Sequence, residues 1–517
     1  MDERVTAAAR LLPDYLSQHV LLSAAALALG LLISLPLVVI ASRSVAVRWP
    51  VLGFASVVQT VPSLALLALF YPLLLALSSA SAYLFGYRFS ALGFLPSLLA
   101  LTLYSMLPIL RNGVTGLMNV DPAIVEAARG VGMTDRQRLL RVELPLAAPV
   151  LMAGIRTAAV WVIGAATLST PVGQTSLGNY IFSGLQVENW VAVLFGCGAA
   201  VALAIVTDQW LALIESGVRK RAPLRVWTGL GLLVAGVVAA AMVQGGGERK
   251  ATYIVGAKNF SEQYILADLM STALRKSGRA VSTRVDLGSV IAFRALANND
   301  IDVYVDYSGT VWANVMGRKE WPARAQMVQE MRAVLRQEQG VLLLGTLGFE
   351  NAYALAMRRD RAEALGIRTI ADLAQHSGEL ALGGDFEFFS RPEWRAVRER
   401  YGLHFRELRQ FQPTFMYRAL ASRQVDAISA FSSDGRIAAD NLVVLADPLR
   451  AIPPYDAIVL VSPARSSDPV LRQALEPLIG RIPIELMRQA NYAVDRDADK
   501  LSPTQAAEWL SRAAHIR

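Results

Sequence analysis

At 517 residues, with 54% hydrophobic residues and a mean hydropathy of +0.38, the chain has room for several domains and is more apolar than a soluble protein of its size. Its single cysteine, Cys197, excludes an internal disulfide or a cysteine-based metal cluster, and its four histidines (His19, His376, His404, His515) stand without ligand spacing, so no metal is expected. The net charge of +8 is not laid out as a basic stripe interleaved with aromatics, which argues against a nucleic-acid partner and for basic loops beside a membrane.

Most of the long charge-free apolar runs precede residue 248, and beyond it charges are regularly spaced. A bilayer core of roughly 30 Å needs about 20 apolar residues in a helix. The runs Val20–Ala41, Val51–Leu77 (within the uncharged stretch Trp49–Tyr87), Phe89–Leu110, Pro149–Leu168, Val191–Ile214 and Val226–Gln244 meet that length. Alternate loops between them carry eleven basic residues: Arg43 and Arg48; Arg111, Arg129, Arg136, Arg138 and Arg141; Arg219, Lys220, Arg221 and Arg225. The opposite side carries three, Arg4, Arg10 and Arg88. Basic loops stay in the cytoplasm, so the N-terminus is expected outside, as is everything after Gly247. The run Gly245–Gly247 reads as a short flexible joint behind the sixth span.

The loop between the third and fourth spans is long enough for short helices. It reads Glu126-Ala127-Ala128-Arg129-Gly130-Val131-Gly132, then nine residues, then Val142-Glu143-Leu144-Pro145. Small alanines permit close helix approach, Gly132 supplies a turn that a β-carbon would resist, and Pro145 fixes the start of the fourth span. Such a patch suits docking in a groove of a cytoplasmic partner. The stretch resembles the EAA loop of ABC importer permeases, matching every fixed position except Val142, where that family usually has Ile. The resemblance implies that Glu126, Ala127, Ala128, Gly132, Leu144 and Pro145 couple the membrane domain to a cytoplasmic ATPase. No Gly-Lys dipeptide occurs, so no phosphate-cradling loop is present; ATP is expected on a separate ABC ATPase subunit, and no cofactor on this chain. After the fourth span, Gly173-Gln174-Thr175-Ser176-Leu177-Gly178 resembles an extracytoplasmic turn of osmoprotectant permeases.

From Ala251 onward, strand-like runs (Tyr253–Gly256, Asp302–Val305, Ala381–Gly383, Asp426–Ser429, Ala457–Val461) alternate with amphipathic stretches. The alternation predicts an α/β fold of mainly parallel strands in two lobes, with a ligand held where loops meet at the strands' carboxyl ends. Those loops are rich in aromatic and amide residues, and several tyrosine faces around a cavity attract a quaternary ammonium at about 0.5–2 kcal/mol each. Gln263 with its helix N-terminus, or Arg391, is placed to take a carboxylate. The segments resemble the solute-binding proteins of the glycine betaine, carnitine and choline group, which includes ergothioneine binders. That resemblance implies ligand-binding roles for Gln263, Tyr307, Asn351 and Tyr353, with Thr310 close by and with Arg391 and Asp434 matching family segments; Tyr417, on the helical stretch that follows, is a further ligand-binding candidate. Departures from the pattern are Ser308 and Ser433 for threonines, Glu350 for Asn and Trp394 for Gly, and the extra acid of Glu350 is a candidate for shifting the ligand.

The expected architecture is thus an all-α polytopic membrane domain of six helices followed by a two-lobe α/β binding domain. The permease part covers 1–223 with its coupling loop at 126–145, and the sixth helix and linker cover 224–250. The binding domain covers 251–517, with lobe I about 251–349 and 449–517 and lobe II about 350–448. The expected function is ATP-driven import of glycine betaine, choline, carnitine or ergothioneine across a bacterial inner membrane by two copies of the chain. A membrane-tethered sensor of the same solutes is the alternative; the coupling loop and the lack of a signalling domain argue against it. An extracytoplasmic enzyme would need a nucleophile–base pair or metal cluster that the sequence does not offer.

Overall fold

A computed structural model describes residues 3–516 apart from 88, 187–188, 246–251, 319, 386–387, 412 and 497. Arg88 and two of the joint glycines, Gly246 and Gly247, lie outside the described residues. The chain divides into two compact units, Met1–Gly184 with Trp190–Glu248, and Leu185–Asn189 with Arg249–Arg517.

The first unit is helical. In chain order it contains α1 (Glu3–Arg43), α2 (Val45–Thr60), α3 (Ser63–Phe85), α4 (Phe94–Met118), α5 (Pro122–Gly130), α6 (Asp135–Arg138), α7 (Leu144–Ala166), α8 (Gly178–Gln186), α9 (Trp190–Arg219) and α10 (Pro223–Gly245). Among the described residues, six stretches are long and apolar enough to cross a membrane: Ala8–Arg43, Ser63–Phe85, Phe94–Met118, Asp135–Val172, Trp190–Arg219 and Pro223–Gln244. The second of them differs from the expected Val51–Leu77. Pro62 excludes its predecessor from the helical region, Val61 is extended (φ −71°, ψ 127°), and α2 is a separate helix before the crossing.

Helix α4 is the most buried of the spanning helices and packs against α1, α2, α3 and α7. A β-carbon at Gly154 of α7 would come within 2.6 Å of the Pro108 carbonyl oxygen on α4, so a small residue there lets the two backbones approach closely. Arg156 of α7 reaches α9 with two bonds to Asp208 (2.8 and 2.9 Å) and one to Glu215 (2.7 Å), satisfying charges that would be costly alone in a bilayer. His19 is buried: its Nδ1 accepts from the Leu177 N–H at 3.4 Å, so its Nε2 carries the proton and donates to the Ile163 carbonyl at 3.0 Å. The first of these bonds ties α1 to the glycine turn after the fourth span. Packing is thus the role of this histidine.

The second unit contains two five-stranded sheets. The strands are β1 (Tyr253–Lys258), β2 (Val281–Leu287), β3 (Val303–Tyr307), β4 (Leu342–Glu350), β5 (Tyr353–Arg358), β6 (Ala381–Asp385), β7 (Glu407–Phe411), β8 (Ala427–Phe431), β9 (Leu442–Val444) and β10 (Asp456–Val461). Their order is β2-β1-β3-β10-β4 in one sheet and β7-β6-β8-β5-β9 in the other. The expectation of mainly parallel strands needs correction. The pairs β1/β2, β1/β3, β6/β7 and β6/β8 are parallel, whereas β10/β3, β10/β4, β5/β8 and β5/β9 are antiparallel. The cause is the double passage between lobes. The chain leaves the first sheet from β4 straight into β5 and returns from β9 into β10, and every antiparallel pair involves β5 or β10. The two crossings lie side by side, with the Asn351 N–H donating to the Tyr455 carbonyl at 2.9 Å.

Candidate ligand-binding site and coupling loop

The helix Ser261–Lys276, α11, starts directly after β1, and its first three residues, Ser261, Glu262 and Gln263, are all buried. Gln263 Oε1 accepts from the Lys258 N–H at 3.3 Å, and its Nε2 donates to the Tyr307 hydroxyl at 3.0 Å. That hydroxyl donates in turn to Glu262 Oε1 at 2.5 Å, and the same oxygen accepts from Asn351 Nδ2 at 3.1 Å. Glu262 Oε2 accepts from Asn491 Nδ2 at 2.8 Å, and Asn491 Nδ2 also reaches the Ser433 carbonyl at 2.9 Å. Three of the candidate residues, Gln263, Tyr307 and Asn351, therefore meet, but around a carboxylate that is not among the candidates. Burial pushes the Glu262 carboxyl above its ordinary range, while donors from Ser433, Tyr307, Asn491 and Asn351 pull it back.

Lys258 Nζ lies 5.3 Å from the centre of the Tyr307 ring and pairs with Asp306, both groups being buried. Asp306 also accepts from the Tyr304 hydroxyl at 2.5 Å and the Tyr307 N–H at 2.7 Å. Phe260 stacks beside Tyr307 with centroids 6.1 Å apart. Thr310 is buried in the turn Ser308–Thr310 that follows Tyr307.

Tyr353 opens β5 inside an aromatic cluster, with Phe431 at 4.9 Å, Phe388 at 5.3 Å and Tyr455 at 5.9 Å edge-on. The Arg391 guanidinium sits 5.2 Å over the Tyr353 ring. It is already engaged, donating from Nε to Glu393 at 3.2 Å and from Nη2 to the Tyr455 hydroxyl at 3.3 Å. The Tyr455 hydroxyl donates to the other Glu393 oxygen. A β-carbon on Gly309 would lie 2.6 Å from the Tyr455 ring, so this glycine keeps room for the tyrosine. Trp394, a departure from the family pattern, backs Phe388 at 5.4 Å as part of the same cluster.

The third candidate tyrosine stands with Asp434 in its own group. The Arg436 guanidinium lies 4.1 Å over the Tyr417 ring and is held by Asp434 at 2.9 and 3.1 Å. All three candidate tyrosines thus carry a protein cation at the ring, each paired to a carboxylate. Glu350, expected as an extra acid near the pocket, pairs with Arg324 and is a third exposed.

Ser261 donates to Asp495 beside this group. The Asp495 carboxyl is pushed up to about 6, by burial first and by Asp434 as well, against the lowering effects of Arg436, Ser261 and Lys500. Its proton is bound more tightly folded than unfolded, so this group's contribution to stability falls as pH rises from its unfolded value, about 3.9, through about 6, and is flat above. Wild-type protein is therefore expected to gain more thermal stability between pH 7 and pH 5 than Asp495→Asn does. Equal shifts in scans of the two proteins would contradict the assignment.

In the membrane unit, the stretch expected to couple forms two helices around a tight turn. Asp121 caps α5 by accepting the Ala123 N–H at 2.8 Å. The chain then turns at Gly132 (φ +78°), and Thr134 and Gln137 close a capping box on α6. Glu126 and Ala127 are less buried than Ala128, and Val131 at the tip is 75% exposed. Pro145 stands in the first turn of α7, as expected at the entry to the fourth span. A π-turn at Leu139–Glu143 carries α6 into α7, with the Leu144 N–H bonding the Leu139 carbonyl, so the proline is absorbed in a continuous helical rod. Glu143 anchors the turn, pairing with Arg138 at 2.6 Å and Arg43 at 3.4 Å.

Two sheets joined by paired crossing strands form the architecture that closes around small solutes, and its union with a polytopic membrane unit defines a solute-capturing importer permease. Residues 251–512 match the family described as the substrate binding domain of ABC-type glycine betaine transport system, and residues 26–220 match the binding-protein-dependent transport system inner membrane component. The chain belongs to the former family, with the latter's permease fused ahead of it. It is accordingly a multi-pass inner-membrane protein whose binding domain is extracytoplasmic. Similar curated proteins include the ergothioneine transport permease/ergothioneine binding protein EgtU of Helicobacter pylori, 28% identical over 88% of this chain and 81% of that one. The choline transport system permease protein OpuBB of Bacillus subtilis is 40% identical over 38% of this chain and 84% of its own. A glycine-betaine-binding protein of Pseudomonas aeruginosa is 30% identical over 56% of this chain and 96% of its own.

Proposed function

We propose that this chain captures a small betaine-type solute, one of glycine betaine, choline, carnitine or ergothioneine, and passes it through its own membrane domain. The observation that carries the ligand class is the pair Tyr307 and Tyr353, two buried rings at the strand ends and the lobe crossing, each beside a cation and a carboxylate. Rings set beside such charged groups suit a molecule bearing its own ammonium and, in most of these solutes, a carboxylate that Arg391 can take over from Glu393. Gln263, Asn351 and Thr310 complete the pocket, with Tyr417 and Asp434 steadying the loop next to it.

Transport is driven by a separate cytoplasmic ABC ATPase, which receives the loop Glu126–Pro145. The exposed tip at Val131, close to Glu126 and Ala127 in the chain, offers a protruding knob for such a partner. Leu144 and Pro145 carry the docked helices into the fourth span. Two copies assemble, because an importer of this type needs two membrane halves and one chain supplies one.

Calorimetry of the purified full-length protein against the four solutes tests the reading. One of them is expected to bind, and Tyr307→Ala and Tyr353→Ala are each expected to weaken it about tenfold or more, equivalent to about 1.4 kcal/mol. Unchanged affinity in both variants would remove the aromatic site.

A further inference from the structure

The charges around Tyr307 do not balance. Lys258 and Asp306 cancel as a buried pair, but Glu262, only 3% exposed, has no salt-bridge partner among the described residues and is held by neutral donors. The hydrogen bonds also run in one direction, from the Lys258 N–H to Gln263, from the Gln263 amide to the Tyr307 hydroxyl, and from that hydroxyl to Glu262. Both asparagines turn their amino groups to the carboxylate, although this leaves Asn351 Oδ1 and Asn491 Oδ1 buried and without a partner among the described residues. Both amides thus present donors to this carboxylate, and bonds donated to an ionised acceptor are the stronger kind. A glutamine at 262 would meet these amino groups with an amide that cannot accept at both ends.

We propose that Glu262 is a positioning residue for the ligand's cation. It fixes the Tyr307 ring and Asn351 in the pocket, and its unbalanced negative charge, passed to the ring through the phenol hydrogen bond, makes Tyr307 the face that draws a quaternary ammonium. Glu262 itself stays behind the ring, out of contact with the solute. The assignment rests on the betaine-type ligand proposed for this site and deepens it, because it orients the solute with its ammonium toward Tyr307.

The test separates charge from shape. Binding is measured by calorimetry on the full-length protein with glycine betaine, or the tightest of the four solutes, and with the analogue in which carbon replaces the quaternary nitrogen (tert-butylacetate for glycine betaine). Glu262→Gln is expected to weaken the ammonium ligand about tenfold or more and the carbon analogue by no more than about twofold, with Glu262→Asp recovering part of the loss. Tyr307→Phe, which keeps the ring and removes its link to Glu262, is expected to show the same asymmetry in smaller measure, and it decides the matter where Glu262→Gln does not fold. Equal losses for the two ligands, or none, would overturn the role of Glu262 and leave the ligand class standing. Failure of wild-type protein to bind any of the four solutes would overturn the ligand class and this assignment with it.

Discussion

Asp306→Asn is expected to destabilise the binding domain by about 3–5 kcal/mol, because it breaks a buried ion pair and strands one member of it. Asp306 is 1% exposed and is the partner of Lys258, itself 2% exposed; it also receives the Tyr304 hydroxyl and the Tyr307 N–H. An asparagine fills the same volume but leaves an ammonium buried without that counter-charge. The cost is therefore electrostatic rather than a matter of a cavity. Lys258→Met alone is expected to be harmful as well, and the double variant to recover a substantial part of the loss, since a missing pair is less costly than a broken one. Chemical unfolding of the four proteins, followed by tryptophan fluorescence, measures this. A double variant as unstable as the sum of the two singles would show that the residues do not act as a pair.

Gly132→Val is expected to reduce uptake to background while leaving ligand affinity unchanged. The residue sits at φ +78°, where a β-branched side chain is disfavoured by roughly 1–2 kcal/mol, yet a β-carbon there would meet nothing within 4 Å. The substitution therefore redirects the turn without disturbing any packed neighbour. Gly132→Asn, which tolerates the left-handed region, is expected to retain most uptake. Transport assays in membranes containing the ATPase, run beside calorimetry, separate the two effects. Normal uptake by the valine variant would remove Gly132 from the coupling role.

The spanning helices were legible because a bilayer asks for length and apolarity, both of which a hydropathy pattern records directly. The break at Val61 and Pro62 was missed because apolarity continues across it while the backbone does not. In the binding domain, β1, β3, β6, β8 and β10 announced themselves as apolar runs. Strand direction did not, because it depends on where the chain changes sheets, and neither β4 nor β5 marks that crossing by composition. The site divided in the same way. Tyrosines, asparagines and the arginine at strand ends were visible as residue types, but their neighbours were not. Glu393 and Arg436 lie two residues from Arg391 and Asp434, close enough to have been read as pairs. Tyr455 and Asn491 were beyond reach, since their partners Glu393 and Glu262 lie 62 and 229 positions away. Glu262 looks in sequence like any helix-start acid; only the fold shows it buried among neutral donors.

The uninterrupted helical stretch Asp135–Val172, 38 residues long, has a mechanical consequence. At about 1.5 Å per residue it measures roughly 57 Å, longer than the roughly 40–45 Å of a membrane with its headgroups, so its inner end reaches beyond the bilayer. One end carries the loop proposed to dock on the ATPase, and the other abuts the glycine turn bonded to His19. Movement of the inner end reaches the outer end through one helical element, whose departures from α geometry are the π-turn at Leu139–Glu143 and the tighter turn at Thr167–Val172. A tilt of about 10° at the inner end displaces the outer end by about 10 Å, a stroke large enough to open or shut a path for a molecule the size of a betaine.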